Sequence, residues 1–454
     1  MSGDSMFGTD GVRGPAGQGV LTALECLRLG ATLTSLWAGE RPSIALARDT
    51  RQSGALLASS VAAGISAAGG TPLDFGVLPT PALALLVESL PDCVAGLMIT
   101  ASHNPWPDNG LKFFGADGHK LGNARQEQLE QAYRKARDVG EVPGAGCAPG
   151  AVVDRAAWAH AAYVDALVGG ARCRLDGLKL VVDHASGAAA SVLPEVLESL
   201  GAEVLNVAPV PDGCNINEGT GAVHPQRAAE AVRANAAWGG VVVDGDADRI
   251  FLVDEAGTIH DGDAILGALA GAMQAEGALR GGGVVGTVTT GAGLESFLGA
   301  RGLTLLRTPV GDRHVAEAME REGFNLGGEA SGHVLTPDCC PSGDGTRVAV
   351  DVIGRAVAAG QSLAELLGEV PRFPVAHRRV DAGDRPPLGA LESLQVVLKE
   401  ADAALRAVDG RQLVRYSGTE PILRVQVEGK DQDRVEAWAD RIASAAADAI
   451  AGAN

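Results

Sequence analysis

Short apolar runs alternate with longer helical stretches along most of the chain. In three segments, starting at residues 41, 177 and 282, an apolar run is followed by a polar loop. A helical stretch of small residues, a glycine-containing turn and a second apolar run complete each segment. Strands that alternate with helices in this way are typical of βαβ units in mostly parallel sheets. The pattern therefore predicts three similar α/β domains.

Two stretches rich in glycine and proline interrupt this pattern, at residues 138–154 and 368–387. After the second stretch the sequence predicts a helix over 388–408, two short strands around "RYSGTEP", and a final alanine-rich helix. This last part is a smaller α+β domain unlike the other three. The predicted domains are 1–150, 151–255, 256–368 and 369–454.

Composition narrows the class of protein. Of the 454 residues, 46% are hydrophobic and 20% charged, as in a soluble globular chain. The formal charge of −19, from 56 acidic and 37 basic residues, argues against a basic nucleic-acid footprint. Seven cysteines without a CxxC pair indicate a reducing compartment. Neither a signal-like start nor an apolar run of about 20 residues is present, so we expect a cytoplasmic protein without a membrane segment.

The first candidate for chemistry is the serine in "GLMITASHNPWPDNGLKFF". "GLMIT" is a predicted buried strand and Ser102 follows it, where open α/β sheets form their sites. The G-x-S-x-G context of a hydrolase nucleophile is missing, which weakens a Ser-His-Asp reading. Taken alone, the loop fits a capping role for Ser102 equally well.

Three aspartates alternate in "VVVDGDADRIFLVD", namely Asp244, Asp246 and Asp248. In an extended or tightly looped segment their carboxylates can converge, and they repel one another unless a cation is present. Carboxylate oxygens favour Mg²⁺. An EF-hand is excluded, because Arg249 stands where that loop needs glycine and the flanks are predicted strands. The motif also fits an alternative function, a phosphatase that uses one of these aspartates as its nucleophile.

A third motif, "NLGGEASGHVL", contains Glu329, Ser331 and His333 at alternate positions. In an extended segment these side chains share one face and offer groups suited to sugar hydroxyls. A polar strand face beside a glycine-rich turn explains the pattern about as well.

The fourth motif is "LVRYSGTEPILRVQVEG". Ser417, Gly418 and Thr419 are predicted to form a turn whose N–H and hydroxyl groups can hold an anion. Arg415 precedes this turn, and Arg424 follows it on the strand face opposite the apolar residues. Arginines that flank such a turn suggest a phosphate site. An ordinary hairpin with surface arginines is the alternative.

The motifs "TASHNP", "DGDADR", "GEASGH" and "RYSGTEP", in this order over the whole chain, closely resemble the α-D-phosphohexomutase superfamily. "FGTDGVRG" and "DNGLKFF" look most like its bacterial branch that acts on glucosamine phosphates. The resemblance implies three similar α/β domains plus a smaller C-terminal domain around a central cleft. It also implies phosphoryl transfer, whose catalysis is mostly positioning and charge neutralisation.

On this resemblance Ser102 would be carried as a phosphoserine that donates its phosphoryl group to a hexosamine phosphate. The resulting bisphosphate would turn around and return its other phosphoryl group to Ser102. One Mg²⁺ per chain would be bound by a phosphate oxygen of Ser102 together with Asp244, Asp246 and Asp248. A hexose or hexosamine 1,6-bisphosphate would act as the priming activator.

The resemblance assigns the other site residues as well. Those near the transferred group would be Arg13, His103, Lys112 and Arg249, with Lys112 a candidate acid/base. Sugar hydroxyls would be held by Glu329 and Ser331, with His333 nearby. The non-reacting phosphate would be held by Arg415, Ser417, Gly418 and Thr419, with Arg424 beside them.

Three functions compete at this point. The leading one is an isomerase, an intramolecular phosphotransferase of amino sugar metabolism that supplies cell-wall precursors. A phosphomannomutase or phosphoglucomutase is the first alternative, and Tyr416 departs from the pattern expected in the phosphate motif. A Mg²⁺-dependent sugar phosphatase is the second. A sugar-phosphate sensor is disfavoured because Ser102, the three aspartates and Lys112 are all present. We expect a phosphorylated amino sugar as substrate, and a monomer or homodimer.

Overall fold

The computed structural model describes residues 6–8, 11–37, 41–144, 146–383, 385–417 and 421–453. Within these ranges the chain forms three β-sheets that contain both parallel and antiparallel strand pairs, and a small fourth sheet that is antiparallel. Among the described helices, none has the length and apolar character needed to cross a membrane.

The first sheet has six strands in the order β1-β5-β4-β2-β3-β6, with a parallel centre formed by β4, β2, β3 and β6. The central strands are buried on both faces and therefore almost continuously apolar. The strands are β1 (Val12–Pro15), β2 (Ser43–Arg48), β3 (Thr71–Val77), β4 (Cys93–Ile99), β5 (Asp108–Gly115) and β6 (Val153–Asp154). The helices are α1 (Ala23–Ser35), α2 (Gly54–Ala67), α3 (Thr80–Ser89) and α4 (Asn123–Asp138).

The second sheet repeats the parallel centre in β9, β7 and β8, with β10 and β11 added antiparallel in the order β11-β10-β9-β7-β8. Its strands are β7 (Lys179–Asp183), β8 (Glu203–Asn206), β9 (Gly239–Val243), β10 (Ile250–Val253) and β11 (Ile259–His260). The helices of this region are α5 (Ala156–Gly169), α6 (Val192–Ser199) and α7 (Gln226–Ala234).

The third sheet has the order β13-β12-β14-β15, and only the last pair is antiparallel. Its strands are β12 (Gly283–Thr287), β13 (Thr304–Thr308), β14 (Gly327–Gly328) and β15 (Val334–Leu335). Its helices are α8 (Gly262–Ala275), α9 (Ala292–Ala300), α10 (Asp312–Glu322), α11 (Gly345–Ala359) and α12 (Leu363–Leu367). The units β2-α2-β3, β7-α6-β8 and β12-α9-β13 confirm the three predicted repeats.

The fourth sheet is antiparallel, with the order β16-β18-β17, and packs one face on two helices. Its strands are β16 (Val375–Asp381), β17 (Arg411–Tyr416) and β18 (Ile422–Glu428), and its helices are α13 (Glu392–Arg406) and α14 (Gln432–Ala453). The helix predicted over 388–408 thus begins with a separate 3₁₀ turn, Leu388–Ala390. The predicted domain bounds themselves stay predictions.

The four sheets do not each have a separate apolar core. One cluster runs through the first three sheets, from Phe75 to Leu180 and Val284. The fourth sheet has its own cluster, which includes Leu423, Val425 and residues of α13 and α14. The first three domains therefore share apolar packing, whereas the fourth folds around a separate core.

Candidate active site

Ser102 lies in the loop directly after β4, as the sequence predicts, and its side chain is buried. Its backbone has a φ of 52°, in the left-handed region that a non-glycine residue rarely adopts. The Ser102 N–H donates to Thr100 Oγ1 at 2.9 Å. The backbone thus turns sharply at this residue, just after β4 ends.

The loop is held from two domains through its carbonyl groups. Arg51, in the loop after β2, donates from Nη2 to the carbonyl oxygens of Ser102 and Asn104 at 2.9 and 2.8 Å. Asn217 of the second domain donates from Nδ2 to the same Ser102 oxygen at 2.9 Å. Asp49 fixes Arg51 by accepting from its Nε at 2.9 Å. These contacts support the unusual backbone of Ser102.

The three aspartates lie in the loop between β9 and β10, and all are buried. One carboxylate oxygen from each of them lies within 4.8 Å of the other two. The Ser102 hydroxyl donates to Asp244 Oδ2 at 2.6 Å, so the serine and the predicted metal site are in direct contact. Gly245 permits this approach, because a Cβ there would lie 2.6 Å from the Ser102 carbonyl oxygen.

Lys112 reaches this cluster from β5, a strand of the first sheet. Its buried ammonium group donates to Asp246 Oδ2 and Asp248 Oδ2, both at 2.8 Å. Thr80 Oγ1 also donates to Asp246 Oδ2, at 2.5 Å. A cation from the first domain therefore partly neutralises two carboxylates of the second.

The carboxylates are not equivalent in charge. Burial, and then the charges of Asp248 and Asp246, raise the pKa of Asp244 to about 7. Burial alone would also raise the pKa of Asp248, but His333 and Lys112 hold it well below its usual range. Of these two carboxyl groups, Asp248, which is in contact with Lys112 and His333, is therefore the more acidic.

The described structure supports a metal site in this loop. Asp246 Oδ1 is buried and accepts no hydrogen bond from any residue that the structure describes. An orphaned buried carboxylate oxygen is costly unless a cation or water satisfies it. The all-oxygen donor set of Asp244, Asp246 and Asp248 could hold a hard divalent ion such as Mg²⁺.

The other residues predicted near the transferred group are close by. His103 Nδ1 lies 3.4 Å from Ser102 Oγ. Burial, and then the charges of Arg249 and Arg13, lower the pKa of His103 to about 4, so its ring is neutral near pH 7. Arg249 follows the aspartates, and its backbone N–H donates to Asp244 Oδ1 at 3.3 Å. Arg13 is in β1, opposite Gly110 of β5.

The predicted sugar motif forms a tight turn between β14 and β15 rather than an extended face. Gly332 N–H donates to the Glu329 carbonyl at 3.0 Å, and Glu329 N–H donates to the His333 carbonyl at 2.8 Å. The expectation of one alternating strand face was wrong, because the turn residues leave the strand at Glu329. Ser331 is half-buried within the turn.

His333 links this turn to the metal loop. Its Nε2 lies 3.1 Å from Asp248 Oδ1, and its Nδ1 lies 3.6 Å from Glu329 Oε2. Burial alone would lower the pKa of His333, but Asp248 and Asp312 raise it to about 10. The carboxylates beside His333 thus favour its protonated form.

The predicted phosphate motif lies on the separate fourth sheet. Arg415 of β17 and Arg424 of β18 are directly opposite each other, and Arg424 is on the exposed face as predicted. Ser417 follows β17, and its N–H donates to the Ile422 carbonyl at 2.9 Å. Gly418 and Thr419 lie outside the described residues, so the predicted turn itself stays a prediction.

Several residues at this site were missed from the sequence. Thr80, Asp49, Arg51 and Asn217 all support the serine or the aspartates through contacts between distant parts of the chain. The available signal was weak: "RDTRQSG" after an apolar strand places buried charges at a sheet edge, as in the other loops of the site.

With this geometry described, the class of protein follows from comparison with known families. The chain matches "Phosphoglucomutase/phosphomannomutase, alpha/beta/alpha domain I" over residues 4–139, domain II over 161–257 and domain III over 261–373. It matches the C-terminal domain of the same family over residues 377–445. The chain belongs to the phosphoglucomutase/phosphomannomutase family, which confirms the predicted superfamily and the four-domain organisation.

Particular relatives narrow this class. The phosphoglucosamine mutase of Ruegeria pomeroyi is 41% identical over 98% of this chain and 99% of that protein. The enzyme of the same name from Streptomyces griseus is 43% identical over the same shares. A solved phosphoglucomutase/phosphomannomutase family protein from Burkholderia thailandensis has a TM-score of 0.81 at 24% identity, and covers 100% of this chain and 99% of its own. That likeness confirms the fold.

Proposed function

We propose that the chain interconverts glucosamine 6-phosphate and glucosamine 1-phosphate through a phosphoserine at Ser102 and a bisphosphorylated sugar. The observation that carries the proposal is the 2.6 Å contact between the Ser102 hydroxyl and the buried aspartate cluster. Family membership and relatives named phosphoglucosamine mutase support the reaction and the amino sugar substrate. The enzyme is accordingly an isomerase.

In the first half-reaction the bond between phosphorus and Ser102 Oγ breaks while a bond to O1 of the 6-phosphate forms. The O1 proton passes to a base. The 1,6-bisphosphate turns around, and its O6 phosphoryl group is transferred to Ser102 Oγ, while O6 gains a proton. One hydroxyl is thus lost and one regained, so the net change is isomerisation without hydrolysis.

The cations around Ser102 neutralise charge on the phosphoryl group during transfer. Arg13, Arg249 and Lys112 supply this charge, and Lys112 is the proposed acid/base. Its Nζ lies 2.8 Å from the carboxylates of Asp246 and Asp248, which hold it beside the aspartate cluster. Neutral His103 is a hydrogen-bonding neighbour of the phosphoryl group.

Asp244, Asp246 and Asp248, with a phosphate oxygen of Ser102, would hold Mg²⁺, which supplies further charge neutralisation when bound. Glu329 and Ser331 bind sugar hydroxyls. Glu329 is oriented for this by the Gly311 N–H, which donates to its Oε1 at 3.0 Å. His333 contacts both Glu329 and Asp248 and so fixes their relative positions across two domains.

The phosphate that does not react is bound by the fourth domain, through Arg415, Ser417, Gly418, Thr419 and Arg424. Closure of this domain about residues 370–377 excludes water and limits loss of the phosphoryl group to hydrolysis. A hexose or hexosamine 1,6-bisphosphate primes Ser102, and the enzyme works in the cytoplasm as a monomer or homodimer.

Ser102→Ala tests the mechanism, with Ser186→Ala as a matched control. Both serines are buried with left-handed backbones, φ 52° and 50°, and each lies in a loop after a parallel strand, Ser102 after β4 and Ser186 after β7. We expect Ser102→Ala to lower interconversion at least ~10⁴-fold and to block covalent phosphorylation, since the variant has no nucleophile. The control keeps most of its activity. Full activity of Ser102→Ala would refute the proposal.

Two further measurements separate the alternatives. Comparing kcat/KM for the 6-phosphates of glucosamine, glucose and mannose tests substrate choice, and a preference for mannose would refute the hexosamine assignment. Intact-mass analysis after incubation with a hexose 1,6-bisphosphate tests the mutase mechanism. Steady release of inorganic phosphate without phosphorylated Ser102 would instead establish the phosphatase.

A further inference from the structure

The fourth sheet carries a row of arginines on the face opposite its helices. The register places Arg379 of β16 directly opposite Arg424 of β18, and Arg424 directly opposite Arg415 of β17. Leu423 and Val425, the neighbours of Arg424, are buried against the helices. Because side chains alternate along a strand, the three arginines project from the other face in one line across the sheet.

This row brings three like charges close together. Residues directly opposite in an antiparallel pair have Cβ atoms about 4.5–5.5 Å apart, and like charges there destabilise the sheet. In the part of the chain that the structure describes, the guanidinium groups of Arg379 and Arg415 take part in no ion pair or hydrogen bond. The chain has 56 acidic residues, so two arginines of one sheet face without an acidic partner in that part of the chain are conspicuous.

Arg378 shows the ordinary arrangement one residue away. It lies on the helix-facing side of β16 and pairs with Glu436 at 2.7 Å and Asp440 at 2.6 Å, both on α14. Two adjacent arginines of one strand thus differ in their surroundings. Arg378 is satisfied by the protein, whereas Arg379 is exposed beside two further guanidinium groups.

We propose that Arg379 is a third arginine of the phosphate site, binding a phosphate monoester dianion together with Arg415 and Arg424. The inference deepens the proposed function and rests on it for the identity of the ligand, the non-reacting phosphate of a sugar phosphate. Guanidinium forks suit this ligand because they donate two parallel hydrogen bonds to phosphate oxygens. A dianion on the row would also neutralise Arg379 and Arg415, which have no acidic partner among the described residues.

The test compares Arg379→Gln with Arg378→Gln in the full chain, using inorganic phosphate as the probe in a titration calorimeter. Since hydrogen bonds to charged groups are strong, we expect Arg379→Gln to weaken phosphate binding roughly tenfold. The KM for glucosamine 6-phosphate should rise by a similar factor, while kcat stays within about twofold. Arg378→Gln should leave phosphate binding and KM unchanged.

Stability gives an independent readout. At low salt and without phosphate, Arg379→Gln should melt no lower than the wild type, because like-charge repulsion is relieved. Arg378→Gln should melt lower, because two ion pairs are lost. Arg379→Lys, which keeps the charge but loses the fork, should bind phosphate with intermediate affinity.

Unchanged phosphate binding and KM in Arg379→Gln would overturn the inference, as would an equal loss in Arg378→Gln. Phosphate binding needs no turnover, so this failure is distinct from failure of the proposed function. If the wild type has no mutase activity yet Arg379→Gln still loses phosphate binding, the arginine row stands as an anion site. If mutase activity is present and Arg379→Gln behaves as the wild type, the row alone fails.

Discussion

The two charged regions of this protein are built in opposite ways. Around Ser102, acidic and basic groups are buried together, and Lys112 lies 2.8 Å from each of two carboxylates. On the fourth sheet, Arg379, Arg424 and Arg415 are of one sign, in line across the strands. The first region is assembled before any sugar phosphate arrives. The second brings like charges together on an exposed face.

This contrast predicts opposite responses to the loss of one charge. Removing one partner of a buried ion pair leaves the other uncompensated at low dielectric, which costs about 3–5 kcal/mol. Removing one arginine from an exposed row of like charges relieves repulsion instead. The same kind of substitution should therefore destabilise one region and spare the other.

Lys112→Met should have the largest effect. The variant leaves Asp246 and Asp248 without their ammonium partner, so the free energy of unfolding in EDTA should fall by about 3–5 kcal/mol. Turnover should fall about 10²–10⁴-fold if Lys112 is the acid/base. Denaturant titration and the interconversion assay measure the two effects.

Lys179→Met is the matched control for Lys112→Met. Lys179 lies 3.5 Å from Glu203 on the neighbouring strand, and this pair is exposed, so we expect a loss of about 1 kcal/mol or less. Adding Mg²⁺ should restore part of the stability of Lys112→Met, since a cation again neutralises the aspartates. Equal losses in the two lysine variants would contradict the proposed contrast between buried and exposed charge.

Asn217→Ala should have a moderate effect, and mainly on kcat. Its amide holds the Ser102 carbonyl from the second domain, so its loss relaxes the nucleophile loop without touching the substrate. Small misplacement of reacting groups is costly, and we expect kcat to fall about tenfold with KM within about twofold. Asn235→Ala, which removes an exposed amide bonded to its own helix, is the control. A rise in KM alone would argue against a positioning role.

Asp263→Asn should have the smallest effect, a change in the pH dependence of stability. Asp263 lies near Glu428, where the third domain contacts the fourth. Burial, and then the charges of Asp261 and Glu428, raise the pKa of Asp263 to about 7. Folding therefore favours its protonated form, and this contribution is complete below pH ~4 and lost as pH rises through ~7. The variant should be more stable than the wild type at pH 8 by about 1–2 kcal/mol, and similar at pH 4. Melting curves at both pH values check this, and an equal difference at both would exclude titration of Asp263.

The parts of the molecule that sequence reasoning recovered are those encoded locally. Apolar runs predicted β4, β9 and β10, and the loops that follow β4 and β9 carry Ser102 and the aspartates. Strand alternation also placed Arg424 on the exposed face of β18. Each of these inferences needs only the order of neighbouring residues.

The missed features depend on residues that are distant in the sequence. Asn217 meets Ser102 across 115 positions, and no local pattern announces that contact. Arg379 joins Arg424 only through the register of β16 with β18, which is fixed by the packed core. The prediction that the sugar motif forms one strand face was wrong for another reason. Its alternating residues fit a strand, but the glycines around Glu329 allow a tight turn.

Because the fourth domain has its own apolar core, it could be replaced as a whole by the fourth domain of a relative. It is attached to the third domain through contacts such as Arg411 Nη1 with the Thr290 carbonyl, at 2.6 Å, and the Ala292 N–H with Glu428, at 3.1 Å. A chimera that replaces residues 369–454 with the corresponding part of a relative would import another anion surface together with the core that supports it. The Ser102 centre would be inherited whole from the first three domains, so such swaps can vary ligand preference while the transfer chemistry is kept.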